Sequence, residues 1–224
     1  MTNHNLPRKK FIFFERKIDA VAFAALIIAV VHAGIQLIRF IQGPDVILFA
    51  PERVMITQKE DSHGCLILRL SAVMTYINQG PRGQDDIVTK EYVTISVNNC
   101  DYDLKWEAFV NSTWDNKNVK IGIEKIVGAF PVKGNDVATH ETAFYPYVVE
   151  INGKVSGKNF LLWNRFLEGL EKTNEILLTF RYETKSGKQK KKCCRSVLYR
   201  NVIINLREKG GSPVACTEIQ CKMQ

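Results

Sequence analysis

The sequence predicts a mainly β protein, with a single N-terminal transmembrane helix followed by an antiparallel β domain that contains one short helix. Three observations predict this fold class. An uncharged apolar run occupies residues 20–38. After it, short segments alternate polar and apolar residues with the period of a β-strand. In one segment, residues 159–172, apolar residues instead recur at steps of three and four, as in an amphipathic helix.

The apolar run marks the membrane helix. At about 1.5 Å per residue, residues 20–38 span a hydrocarbon core of roughly 30 Å. Gly43 and Pro44 end the segment, because glycine releases a helix and proline lacks a backbone donor. We therefore divide the chain into a basic tail (1–19), a transmembrane helix (20–42) and a β domain (43–224).

Charge around the run predicts its orientation. Five basic residues precede it, whereas a comparable stretch after it contains Arg39 and Arg53. This bias predicts a cytoplasmic N-terminus, an extracytoplasmic β domain and location in the cell (inner) membrane. A cleaved signal peptide is the alternative, because Val31 and Ala33 suit signal peptidase, but apolar sequence resumes at Ile35.

Segments with strand character follow one another through the β domain. The longest apolar one covers residues 64–78, and Tyr92–Val97 alternates Tyr, Thr and Ser with Val, Ile and Val. The others that we predict are 46–50, 53–58, 102–110, 119–127, 144–155, 175–183, 190–200 and 201–206. From about residue 209 we expect a loosely held tail, because glycine, serine and proline follow one another there.

About seven to nine short strands, separated by turns and one helical crossover, favour an antiparallel β-sandwich of immunoglobulin-like architecture. A small β-barrel is the second choice. The cysteine–tryptophan–cysteine pattern of true immunoglobulin domains is absent from the sequence, so the term describes architecture alone.

The formal net charge of +8 is unevenly distributed along the chain. Residues 43–180 contain 14 basic and 18 acidic side chains, whereas residues 181–224 contain 11 basic and 3 acidic ones. Because the basic excess is local, the composition argues against general nucleic-acid binding.

One face of the predicted membrane helix carries small and polar side chains, and we call it the helix seam. Its members follow one another at steps of three and four residues: Ala22, Ala25, Ala29, His32 and Gln36. Small residues let two helices approach closely, and polar groups favour a partner helix over acyl chains. The seam therefore predicts contact with another membrane protein or with a second copy of the chain.

A cluster of basic residues lies in and beside the hairpin loop predicted after residue 183. This basic patch consists of Lys185, Lys188, Lys190, Lys191, Lys192 and Arg195. Such a cluster suits anionic lipid headgroups, cell-wall polymer or an acidic protein. The alternative is a solvated loop whose lysines discourage edge-to-edge strand pairing.

All six cysteines lie in the β domain, at Cys65, Cys100, Cys193, Cys194, Cys216 and Cys221. An even number in an extracytoplasmic domain is compatible with disulfides, but it does not determine the pairing. Because neighbouring residues on a strand face opposite sides, separate partners for the two adjacent cysteines are more plausible than joint metal binding. Buried free thiols are the alternative.

No catalytic motif in the sequence is complete. Residues 153–159 approach a phosphate-binding loop, but the glycine spacing is one residue short and Asn159 replaces the required hydroxyl. His140 and Glu141 lack the second histidine of the HExxH zinc motif. We therefore expect no enzymatic activity, no cofactor and no metal.

These features predict a single-pass membrane protein without enzymatic activity. We expect its extracytoplasmic β domain to bind protein partners and to support assembly of a membrane complex. The alternative is a membrane-anchored sensor, in which the β domain binds a small or anionic ligand and signals through the helix.

Overall fold

In the computed structural model, the chain divides into two compact units, Met1–Gly43 and Pro44–Gln224. The structure describes residues 12–60, 64–110, 112–115, 118–121, 125–146, 150–151, 154–155 and 163–221.

The first unit contains helix α1, Ile12–Gln42. Its segment Ala20–Ile41 has a mean hydropathy of 2.4 and is long and apolar enough to cross a membrane, as an anchor and a signal sequence both are. The helix begins before the apolar run, because Glu15, Arg16 and Lys17, which precede the run, are also good helix formers. At its end, Gly43 adopts φ 71° and its N–H donates to the Phe40 carbonyl.

The second unit consists mainly of strands. Those before residue 122 are β1 (Val46–Phe49), β2 (Arg53–Glu60), β3 (Leu66–Asn78), β4 (Asp86–Val97), β5 (Cys100–Val110), β6 (Ser112–Asp115) and β7 (Asn118–Ile121). The others are β8 (Lys125–Ile126), β9 (Phe130–Val132), β10 (Asp136–Pro146), β11 (Glu150–Ile151), β12 (Lys154–Val155), β13 (Glu175–Thr184), β14 (Gln189–Val197), β15 (Gly211–Ala215) and β16 (Thr217–Ile219). Two helices accompany them, α2 (Trp163–Lys172) and α3 (Arg200–Lys209).

Twelve of the described strands form one antiparallel sheet with the order β15-β2-β3-β10-β5-β4-β13-β14-β16. In addition, β1 pairs with β3, β8 with β5, and β9 with β4. One residue, Cys216, separates β15 from β16, yet β15 pairs with β2 and β16 pairs with β14. The same short segment of chain therefore joins the two ends of the sheet, and we call residues 211–219 the closing segment.

The sheet is nearly barrel-shaped, and the predicted immunoglobulin-like sandwich is not confirmed. The mainly β composition and the N-terminal apolar helix are confirmed. Sandwiches and barrels both alternate buried and exposed residues along each strand, so the alternation does not distinguish them. The difference depends on pairing between β2 and the closing segment, which are distant in sequence.

The core lies on the inner face of this sheet. Along β4, buried and half-buried residues alternate almost throughout, with Val93 and Ile95 fully buried. Helix α2 contributes Trp163 and Phe166, which are also buried in the main apolar cluster. Gly169 lets this helix approach β4 closely, because a Cβ there would lie 3.2 Å from Cγ2 of Val97.

Two expectations for the C-terminal quarter are corrected by the structure. Residues 201–206 belong to helix α3 rather than to a strand, because Val202, Ile203 and Leu206 bring their apolar side chains to the core at helical spacing. Residues 211–219, which fall in the predicted loosely held tail, instead form the closing segment, whose hydrogen bonds run to both ends of the sheet. The predicted helix over 159–172 is observed as Trp163–Lys172, and residues 159–162 lie outside the described ranges.

Candidate binding groove

A row of long polar side chains crosses four neighbouring strands on the outer face of the sheet. Tyr92 on β4 lies opposite Lys105 on β5 and Arg181 on β13, and Arg181 lies opposite Lys191 on β14. The residues that flank this row on β4 and β13, among them Val93 and Phe180, are buried. Because successive residues of a strand alternate between faces, the four side chains of the row point outward together.

These side chains are part of a groove with a volume of about 890 Å³. Eight outward side chains line it: Lys90, Tyr92, Asp103, Lys105, Arg181, Glu183, Gln189 and Lys191. Four of the eight are cationic and two are carboxylates, so the groove has a net positive charge. Long flexible cations around an aromatic residue are suited to an anionic partner, and the aromatic side chain adds contact area.

The two carboxylates of the groove are already held by its cations. The Arg181 guanidinium donates to Asp103 Oδ1 and to Thr94 Oγ1, each at 2.9 Å. Lys90 Nζ lies 3.2 Å from Glu183 Oε2, and this hydrogen bond, with the neighbouring Tyr92, raises the pKa of Lys90. Ion pairs this exposed contribute little to stability, so a bound anion can compete with them at little cost.

The row ends in a lysine at each side. Lys105 Nζ lies 3.4 Å from Glu107 Oε1, and both side chains are exposed by more than a third. Lys191 is exposed on β14. The groove therefore presents cations at both ends and, between them, the Tyr92 phenol and the Arg181 guanidinium.

The structure does not bring the predicted basic patch together as one site. Because successive residues of β14 alternate between faces, Lys191 points outward with the row, whereas its neighbours Lys190 and Lys192 point to the other face, where Lys190 also borders the groove. Lys190 Nζ donates to Asp45 Oδ1 at 2.5 Å, and Lys192 Nζ donates to Glu218 Oε1 at 2.6 Å. The remaining members also have separate positions: Lys188 donates to the Pro44 carbonyl, Arg195 pairs with Glu175, and Lys185 is exposed in the loop.

Sequence reasoning missed the cations that β4, β5 and β13 contribute, namely Lys90, Lys105 and Arg181. Each occupies an outward position of an alternating strand, which is the signal that was present in the sequence. Their juxtaposition depends on the register between strands, and local alternation does not determine that register.

A buried polar cluster lies on the inner face of the sheet, on strands β3, β4 and β10. Glu91, between Lys90 and Tyr92, is fully buried, and its Oε1 accepts a hydrogen bond from Tyr76 Oη at 2.7 Å. His140 Nε2 lies 2.9 Å from the same oxygen. Burial, and then the charge of Glu91, raise the pKa of Tyr76. The cluster ties β3, β4 and β10 together beneath the groove.

The metal motif considered at His140 and Glu141 is therefore part of a strand and contributes a histidine to this core cluster. Within the part of the chain that the structure describes, no group of three or more His, Cys, Asp or Glu side chains is placed to hold a metal ion. Most of the incomplete phosphate-loop motif, including residues 156–159, lies outside the described residues.

Two disulfides attach the closing segment and its continuation to β14. Cys194 pairs with Cys216, and Cys193 pairs with Cys221, with Cα–Cα distances of 5.5 and 5.2 Å. These distances are typical of disulfides. Cys65 and Cys100 are exposed and take part in neither bond.

The helix seam lies on α1, in the other unit. Its five residues share one face because steps of three and four follow the helical repeat. Within the seam, Gln36 Nε2 lies 3.5 Å from His32 Nε2, one turn apart. The two polar side chains are thus placed to act as a pair.

Comparison with known proteins assigns no family. No protein-family model matches the sequence, and no curated protein matches it. The chain is similar to Spo0M, a sporulation control protein from Bacillus subtilis, whose crystal structure aligns with a TM-score of 0.28 and 13% identity. The alignment covers 74% of this chain and 53% of that one, so the chain spans about half the length of Spo0M. The strand pairing alone therefore defines the fold.

Proposed function

We propose that the protein is a single-pass, membrane-anchored binding protein without enzymatic activity, whose β domain recognises an acidic protein partner in the groove. The observation that carries this proposal is the row formed by Lys105, Tyr92, Arg181 and Lys191. Four strands position these side chains on a rigid sheet, so little conformational entropy is lost when a partner binds.

The charge of the groove supports an acidic partner. Its cations exceed its carboxylates, and the carboxylates are engaged by Arg181 and Lys90. An anion that enters the groove therefore meets positive potential at both ends. Complementary charge of this kind accelerates encounter and makes binding weaken as the salt concentration rises.

Helix α1 is the evidence for a membrane anchor, and the disulfides are the evidence for an extracytoplasmic location of the β domain. The apolar stretch of Ala20–Ile41 is not buried inside the protein, as expected of a helix that faces lipid. Disulfides such as Cys194–Cys216 form and persist mainly in oxidising compartments. Together with the basic N-terminal flank, this favours a cytoplasmic N-terminus and an extracytoplasmic β domain.

A contribution of α1 to a membrane complex is the second function that we propose. The paired polar side chains of His32 and Gln36 lie on the same face as Ala25 and Ala29. A face that is both small and polar favours a neighbouring helix over lipid. The partner helix belongs either to another protein or to a second copy of this chain.

Binding of poly-glutamate to the full-length protein in lipid nanodiscs tests the groove. In the variant with Lys105→Glu and Lys191→Glu, the affinity is expected to fall by about tenfold or more, because both terminal cations become repulsive. The affinity of the unmodified protein is expected to fall steadily as salt is raised.

The matched control carries Lys185→Glu and Lys209→Glu, which change the net charge equally at exposed lysines outside the groove. Its affinity is expected to stay within about threefold of the unmodified protein, because neither lysine lines the groove and exposed charges are screened by salt. Equal losses in both variants would show that net charge rather than the groove is recognised, and would refute the proposal.

A further inference from the structure

We infer that the groove is shaped for one extended peptide strand that runs across β5, β4, β13 and β14 and carries two acidic residues four positions apart. This inference depends on the proposed function and specifies the partner of the same groove. It follows from the spacing of the cations, which the strand register determines.

The first step is the distance between the two ends of the row. Lys105 and Lys191 lie on β5 and β14, with β4 and β13 between them. Neighbouring strands are about 4.8 Å apart, so three spacings separate the two lysines by about 14 Å at the backbone. A single small anion is much shorter than this separation.

The second step is the repeat of an extended peptide. Such a peptide rises about 3.4 Å per residue, and its side chains alternate between two faces. Residues four positions apart are therefore separated by about 14 Å and point to the same side. Acidic side chains at these two positions meet Lys105 and Lys191 together.

The third step concerns the middle of the groove. The residue halfway between the two acids points to the same face and lies over Tyr92 and Arg181, the central members of the row. Arg181 donates to Asp103 and Thr94 through one guanidinium nitrogen, and these bonds leave the faces of the planar group available for stacking. An aromatic side chain at the middle position can stack on the phenol or the guanidinium and adds contact there.

The carboxylates of the groove favour a peptide over a nucleic acid or polyphosphate. Asp103 and Glu183 lie next to the row, on opposite sides of it. A nucleic-acid strand or a polyphosphate carries a negative charge on every repeating unit, so some phosphates would face these carboxylates. A peptide with only two acidic residues, one at each end of the groove, avoids that repulsion.

Fluorescence anisotropy with labelled peptides and the full-length protein in nanodiscs tests the inference. Three peptides of equal composition contain one phenylalanine and two glutamates, which lie four, three or one position apart. The peptide with a spacing of four is expected to bind about tenfold more tightly than the others, because only there do both acids face the groove at the right distance.

A charge exchange identifies which end of the peptide meets which lysine. Lys191→Glu is expected to weaken the best peptide by about tenfold, and replacing one of its two glutamates by lysine is expected to restore affinity. Lys185→Glu, outside the groove, serves as the matched control. It is expected to leave the affinity for both the original and the lysine-substituted peptide unchanged. If neither of the two peptides with a lysine in place of a glutamate restores the affinity, the assignment of Lys191 to one acidic residue is overturned.

The outcomes separate this inference from the proposed function. Equal binding of all three peptides, or tighter binding of inorganic polyphosphate than of any peptide, overturns the inference and leaves the anion-binding groove supported. If neither the peptides nor poly-glutamate bind, both the inference and the proposed function fail.

Discussion

Cys194 on β14 is joined by a disulfide to Cys216, the one residue that separates β15 from β16. This bond lies where the closing segment passes from one end of the sheet to the other. The neighbouring Ala215 carbonyl accepts a hydrogen bond from Ser196 Oγ, and the Cys216 N–H donates to the Glu52 carbonyl. The near-closure of the barrel is therefore covalent as well as hydrogen-bonded.

Removing this disulfide is expected to destabilise the β domain. The combined change Cys194→Ala and Cys216→Ala removes a cross-link over a sequence separation of 22 residues and truncates a fully buried side chain. The free energy of unfolding is expected to fall by about 3–5 kcal/mol. Urea unfolding followed by tryptophan fluorescence measures the loss, and faster amide exchange is expected in residues 211–219. The control, Cys65→Ala with Cys100→Ala, is expected to stay within about 0.5 kcal/mol; an equal loss there contradicts the prediction.

Alkaline pH is expected to destabilise the domain through the phenol of Tyr76. Burial and the Glu91 carboxylate raise the pKa of Tyr76, so the folded state retains a proton that the unfolded chain releases. The resulting stability is present below the unfolded pKa of about 10 and is lost as the pH rises above it. The loss is roughly 1.4 kcal/mol per pH unit for each such tyrosine, and burial raises the pKa of Tyr182 in the same way.

Urea unfolding at a series of pH values measures this dependence. Tyr76→Phe is expected to be less stable than the unmodified protein at neutral pH, because Glu91 loses a hydrogen-bond donor in the core. Above pH of about 10 its stability is expected to fall less steeply. Tyr199→Phe, at an exposed tyrosine, is the control and is expected to keep the original slope. An unchanged slope in Tyr76→Phe would contradict the assignment.

Leucine substitutions in the helix seam are expected to weaken helix association. Ala25→Leu with Ala29→Leu prevents close approach, and His32→Leu with Gln36→Leu removes the polar pair. A membrane two-hybrid assay with two copies of the chain measures the effect. Ile27→Leu with Val31→Leu, on the opposite face, is the matched control and is expected to leave the signal unchanged. An unchanged signal in both seam variants would refute self-association through the seam.

Cysteine labelling in intact cells tests the orientation. Cys65 and Cys100 are exposed and lie outside the two disulfides, so a membrane-impermeant maleimide is expected to modify them if the β domain is extracytoplasmic. The variant with both residues changed to alanine is expected to lose the label. Modification that occurs only after cell lysis would place the β domain on the cytoplasmic side.

Elements that depend on short stretches of sequence were predicted well. The apolar run 20–38 lies within α1, and the segments 175–183 and 190–200 largely correspond to β13 and β14. Residues 201–206 show the limit of this reasoning. Consecutive β-branched residues such as Val202 and Ile203 favour a strand locally, but the core receives Leu206 only if the segment is helical.

The groove and the barrel closure could not be predicted in this way, because both depend on pairing between distant segments. Lys105 and Lys191 become the two ends of one row only through the register of four strands. From the sequence alone, the closing segment is predicted to be a loosely held tail. In the structure, β2 and β14 supply its hydrogen-bond partners. Hydrophobic periodicity reports which face of an element is buried, whereas the neighbour of each strand is selected by packing over the whole chain.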